Sequence, residues 1–68
     1  MILPAWSSLS TGWTIGIVNV SGNTITVNSS GLDLVNGVGS VINTNIYTGF
    51  YVYKSDVDGE FIAVGTVY

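Results

Sequence analysis

Five side chains in this 68-residue chain carry a charge, Asp33, Lys54, Asp56, Asp58 and Glu60, and any acid–base or metal chemistry has to be assembled from them. A pair of carboxylates is the inventory of a glycoside hydrolase, but Asp56, Asp58 and Glu60 fall in one short loop, where solvating a turn is the expected role. Asp56-Val57-Asp58-Gly59-Glu60 also resembles a fragment of a calcium loop. In the EF-hand frame the first ligand position falls on Lys54 and the last on Gly65, so both end ligands fail. With no His, Cys or Arg, neither a nucleophile–base pair nor an oxyanion clamp of side chains can be built. The same lack removes zinc and most transition-metal sites. The expectation is a protein that is not an enzyme and uses no cofactor and no metal.

The aromatic residues offer a different chemistry, that of contact. Trp6 and Trp13 flank a Ser-rich stretch, and Tyr47, Tyr51 and Tyr53 share one face of a strand with Phe50 and Val52 opposite. Such side chains anchor protein interfaces as buried hot spots, and they also stack on sugars. Sugar sites surround the platform with charged or amide groups, whereas the Asn residues here fall mostly in turns. A glycan is therefore the second partner considered, after other protein subunits.

These side chains must be positioned by strands. Trp13-Thr14-Ile15-Gly16-Ile17 alternates with period two, and Val18-Asn19-Val20 resumes on the other phase, which predicts a bulge or a strand covered on both faces. Ser21-Gly22-Asn23 is a compact turn before the alternating run Thr24–Asn28, so a first hairpin is expected there. Leu32–Val35 reads as a helical turn or an extended link, Asn36-Gly37 as a turn, and Val38–Ile42 as a short strand. A second hairpin runs from Ile46–Lys54 through Ser55–Gly59 to Glu60–Tyr68, with Asp58-Gly59 supplying the return. No sustained helical stripe exists, and the many Gly, Asn, Thr and Val residues disfavour helix. The expected fold is all-β, about five strands in a small SH3-like or OB-like barrel or a compact antiparallel meander. Residues 12–68 form that single domain, and Met1–Thr11 precede it as an extended arm.

Composition then says how such a domain survives. Ordinary soluble domains carry about a quarter charged residues, while this one is 7% charged and 47% hydrophobic. A core this small is marginal, and without disulfides or metal the remaining route is oligomerisation. In the last strand Phe61, Ala63, Gly65 and Val67 share one face and Ile62, Val64 and Tyr68 the other. A single core needs only one of these faces, so a neighbouring subunit is expected on the second. The anticipated interface residues are Ile2, Leu3, Trp6, Trp13, Tyr47, Tyr51, Tyr53, Ile62, Val64 and Tyr68. Ile2, Leu3 and Trp6 are expected to anchor the arm on a neighbour by strand addition.

Several partners are disfavoured. A net charge of −3 with one Lys lacks the basic footprint that phosphate binding needs. No run approaches the length of a membrane helix. Met1–Trp6 lacks the positive region of a secretory signal; the starting Met leads to the expectation of a complete small open reading frame made in a cytoplasm. Gly37-Val38-Gly39 lacks the third glycine of a dinucleotide loop. Asn19-Val20-Ser21 and Asn28-Ser29-Ser30 match the glycosylation pattern, which has meaning only behind an export signal.

The run Ile17-Val18-Asn19-Val20-Ser21-Gly22-Asn23-Thr24-Ile25-Thr26-Val27-Asn28, followed by Leu32, Leu34 and Gly37, resembles segments of small barrel domains in tailed-bacteriophage virion proteins. Capsid decoration, tail and baseplate proteins are among them, and the resemblance covers roughly a third of the chain. It implies a structural subunit of a virion, a capsid cement protein or a small tail or fibre component, with homo-oligomeric or other virion partners. It brings no catalytic residues. A carbohydrate-binding module using Trp6, Trp13 and the tyrosine face is the alternative.

Overall fold

The computed structural model describes all residues, 1–68, as an all-β domain. After a short 3-10 turn at Trp6–Ser8 come β1 (Thr14–Asn19), β2 (Ile25–Asn28), β3 (Leu34–Val35), β4 (Ser40–Asn43), β5 (Thr48–Lys54) and β6 (Glu60–Gly65). The strands make two sheets, one in the order β1-β5-β6-β3 and one of β2-β4. Both contribute to a single core, with Val27 and Val41 from the small sheet meeting Val35, Phe50, Val52, Phe61 and Ala63 from the large one. Trp13 packs edge-on against Phe61, ring centroids 5.9 Å apart. The sheets do not close into a barrel.

The second hairpin forms as its alternation predicts. β5 and β6 pair antiparallel from Lys54↔Phe61 to Phe50↔Gly65, with Phe50, Val52, Phe61 and Ala63 inward. The Asn36-Gly37 turn also forms, with φ of 51° and 78°, the left-handed pair that a tight two-residue return requires. It brings Val38 back onto Val35. Leu34–Val35 is extended and lies parallel to β6.

The first hairpin does not form. β1 pairs with β5 and β2 pairs with β4, so Ser21-Gly22-Asn23 carries the chain from one sheet to the other. Of the two outcomes expected from the phase change at Ile17-Val18, neither the bulge nor a strand covered on both faces is found. The register from Thr14↔Tyr53 to Asn19↔Thr48 is unbroken, with Val18 outward and Asn19 fully buried. The physical reason is the Asn19 carboxamide. Its Oδ1 accepts from the N–H groups of Ser21 and Gly22, and its Nδ2 donates to the carbonyl of Asn23. The loop is stapled to an inward-facing amide, which turns it out of the sheet rather than back along β1.

Met1–Leu3 belong to the domain itself and do not form an arm that leaves it. Leu3 is 1% exposed, in the core of its own chain. The Leu3 N–H donates to the Asn28 carbonyl at 2.8 Å, and the Asn28 N–H donates to the Met1 carbonyl at 2.9 Å. The backbone hydrogen bonds that offset the entropy of ordering this segment come from β2, not from a neighbour.

Candidate functional site: an uncharged aromatic sheet face and a charged pole

Alternation in the large sheet sends the core residues inward and leaves an opposite face built from ordered rows. The register places Thr14, Tyr53 and Ile62 side by side, then Gly16, Tyr51 and Val64, then Val18 and Gly49. Leu34 continues the face on β3 beside Glu60. Tyr51 is 64% exposed, Val64 50% and Tyr53 39%. A shallow groove of about 160 Å³ lies along β1 and β5, lined by Gly16, Ile17, Val18, Gly49, Phe50 and Tyr51. Fourteen large hydrophobic side chains are exposed in the whole chain, against eight hydrophobic residues buried in the core and seven more packed against it.

Every charged side chain gathers at one end of this sheet. The Trp13 carbonyl accepts from the Lys54 N–H at 3.0 Å, which puts the loop after β5, with Asp56 and Asp58, beyond the start of β1. Glu60 opens β6 beside Leu34, and Asp33 lies against Gly59. Asp33 Oδ2 accepts from the Trp6 N–H at 2.8 Å, and Trp6 Nε1 donates to the Ser55 carbonyl at 3.2 Å. Lys54 Nζ donates to the Leu9 carbonyl and sits 3.9 Å from the centre of the Trp6 ring. A polar cleft of about 140 Å³ is lined here by Trp6, Thr11, Lys54, Ser55 and Asp56. The lone cation thus ties residues 6–9 to β5. No three His, Cys, Asp or Glu side chains converge on a common point. The loop hydroxyl of Ser55 is occupied in closing its own turn, donating to the Glu60 carbonyl at 2.8 Å.

The opposite end is polar and uncharged. Asn19 and Asn43 are both buried and share a hydrogen bond, and Asn43 Nδ2 also donates to Thr48 Oγ1 and to the Thr66 carbonyl. No buried side-chain nitrogen or oxygen lacks a partner.

The anticipated interface residues separate accordingly. Tyr51, Tyr53, Ile62 and Val64 come together on the outer face. Tyr47 precedes β5 and does not join them. It is 79% exposed at φ 62°, with its N–H on the Asn19 carbonyl. Trp13 packs on the core, Trp6 belongs to the charged pole, and Ile2 is exposed at the edge of β2. Tyr68 pairs its backbone with Ile42 in β4 while its side chain is exposed. Gly16 and Val18 reach the face only through the β1–β5 pairing and Leu34 only through the β3–β6 pairing, neither of which the sequence predicts; Gly49, on β5, completes the last row. No family model, curated protein or solved structure matches the chain. No helix is long and apolar enough to cross a membrane.

Proposed function

We propose that this chain is a non-enzymatic structural subunit of a viral particle, a capsid decoration protein or a small tail or fibre component, assembling through the outer face of its large sheet. The observation that carries the assembly role is polarity. Tyr51, Tyr53, Ile62 and Val64 form an uncharged patch while Asp33, Lys54, Asp56, Asp58 and Glu60 collect at one end, Glu60 bordering the patch on the same side of β6. Exposed apolar patches of this kind mark contact surfaces, and a charged pole keeps the remaining end solvated. The virion assignment comes from the sequence resemblance and from composition. The hairpin that carried the resemblance is divided between two sheets, so the assembly role stands on the face alone.

Mass spectrometry of purified particles from the source lysate tests this reading. The chain should be present in many copies per particle, and Val64→Lys should reduce its incorporation without altering its circular dichroism. Absence from particles, or incorporation indifferent to Val64→Lys, would overturn it.

A carbohydrate-binding module is the second reading, supported by the exposure of Tyr51 and Tyr53 at a spacing of about 6.6 Å along one strand. No side-chain amide stands on that face to hold sugar hydroxyls. Saturable binding to one glycan class on an array, lost in Tyr51→Ala, would favour this module over the particle subunit.

A further inference from the structure

We infer that two copies of this chain pair antiparallel along the free edge of β1, joining their large sheets into one continuous sheet with a shared aromatic face. The inference deepens the assembly reading and rests on it.

A sheet edge with unpaired N–H and C=O groups is a template for another strand. The two sheets have four edges, and three of them are covered. Met1–Leu3 line β2, Tyr68 exchanges both backbone hydrogen bonds with Ile42 of β4, and Val38 does the same with Val35 of β3. Asn36 closes the β3 side further, since its carboxamide accepts from the Ala63 N–H and donates to the Ala63 carbonyl. Only β1, Thr14–Asn19, remains open. The Lys54 N–H to Trp13 carbonyl bond sets the phase of the ladder. Alternation then directs the backbone groups of Ile15 and Ile17 toward β5 and those of Thr14, Gly16 and Val18 outward. The strand contains no charge, no proline and no bulge, so it lacks the devices that keep edges apart.

Charge placement favours a second copy as the occupant, in an antiparallel sense. All charged side chains lie beyond the Thr14 end of β1, and the Asn19 end has none. Antiparallel pairing sets each acidic pole beside the neutral end of its neighbour, whereas parallel pairing would abut two acidic poles. A two-fold axis at Gly16 makes the contact self-complementary. Gly16 then faces Gly16 of the second copy, and Thr14 faces Val18 of the second copy. A Cβ added to Gly16 would lie 3.0 Å from Cε1 of Tyr51, so the ring already covers this glycine. With strands about 4.8 Å apart, the two Tyr51 backbones lie about 14 Å apart. Two rings leaning inward close that distance over the glycine seam.

Sedimentation velocity on the purified full chain should give twice the chain mass. Val18→Pro removes an outward N–H and leaves the ladder to β5 whole; it should return the mass to that of one chain. A second measurement covers misfolding of that variant. The chain has no cysteine, so Thr14→Cys and Val18→Cys chains can be mixed under mild oxidation. The mixed disulfide should dominate, because facing hydrogen-bonded residues lie about 5.5 Å apart at Cα. Preferential homodisulfides overturn the register and with it the proposal. Oligomers that are lost in Val64→Lys but survive Val18→Pro, with no mixed disulfide, overturn the edge contact and leave the assembly reading standing. A single-chain mass at every concentration overturns the edge contact, and absence from particles overturns the assembly reading itself.

Discussion

Asn19 Nδ2 donates to Asn43 Oδ1 across 3.1 Å, and both side chains are sealed from solvent. The pair joins β1 of one sheet to β4 of the other at the corner where the chain leaves β1. A buried amide is tolerated only when its hydrogen bonds are made, and here Asn19 uses both donors and its acceptor. Asn43→Ala would strand the Thr66 carbonyl and one donor of Asn19. At about 1–3 kcal/mol for each buried group left unpaired, the variant should lose roughly 2–4 kcal/mol of unfolding free energy in urea titrations. A loss under about 0.5 kcal/mol, the range of ordinary surface changes, would mean the corner does not depend on the pair.

Asn19→Asp gives the same corner a pH dependence. A carboxylate cannot donate to Asn23 or Asn43, and burial favours its protonated form, so the folded state binds the proton more tightly than the unfolded chain. Folded-state affinity above unfolded affinity means stability falls as pH rises from the unfolded aspartate value, about 3.9. The variant should approach wild-type stability in acid and lose it toward neutrality, measured by thermal unfolding from pH 3 to 7. A gap to wild type that is constant with pH would refute the buried-charge account.

Much of the large sheet is legible in the sequence, the β5–β6 hairpin included, but the pairing of β1 with β5 and of β3 with β6 is not. The inward set Phe50, Val52, Phe61 and Ala63 and the outward set Tyr51, Tyr53 and Val64 follow from period two, because each strand of the second hairpin keeps one phase throughout. The first hairpin misleads because Ser21-Gly22-Asn23 has turn chemistry whichever way the chain leaves it. Direction is decided by Asn19, a polar residue placed inward, and alternation of apolar residues alone points Val18 inward instead. The outer face was half visible for the same reason, since Gly16 and Val18 join it only through β5. Leu3 was unreadable as core because its partner strand, β2, is distant in sequence.

Leu3 fills the interior between the sheets, so trimming it should be costly. Leu3→Ala removes a fully buried side chain, a change worth about 2–5 kcal/mol. Small domains have roughly 5–15 kcal/mol in total, and the core here has only eight hydrophobic residues. The melting temperature should fall by roughly 8–40 °C by circular dichroism, taking about 4–8 °C per kcal/mol for a domain of this size. Deletion of residues 2–8 should unfold the chain. A truncated chain with wild-type melting would restore the segment to the role of a separable arm.

Lys54 holds the same segment from the other side. Its ammonium bonds the Leu9 carbonyl and lies over Trp6. Lys54→Met keeps the aliphatic stem and removes both interactions, of which the cation–π contact is worth about 0.5–1 kcal/mol at an exposed site. The effect should be local. Amide exchange should accelerate at Trp6, Ser8 and Leu9 while that of Val52 and Phe61 stays near wild type. Uniform acceleration across the chain would show that the lysine supports the whole domain instead.

Gly65 marks where β6 leaves the large sheet for β4. Its φ is 127°, and an added Cβ would lie 2.6 Å from the Gly49 carbonyl oxygen and 2.8 Å from Phe50 Cα. Both obstacles are backbone of β5, so no side-chain rotation can relieve them. Beyond Gly65, the Thr66 N–H donates to the Gly49 carbonyl, the Thr66 carbonyl accepts from Asn43, and Tyr68 pairs with Ile42. A side chain at position 65 would therefore push this closing segment away from the small sheet. Gly65→Ala should cost at least the roughly 1–3 kcal/mol of a strained backbone conformation and should also free Tyr68 from β4. Nuclear magnetic resonance should show faster amide exchange at Ile42 and Tyr68 even where the remaining core is intact. Wild-type protection at those two amides, together with unchanged stability, would mean the crossing tolerates a side chain and that its geometry differs from the one described.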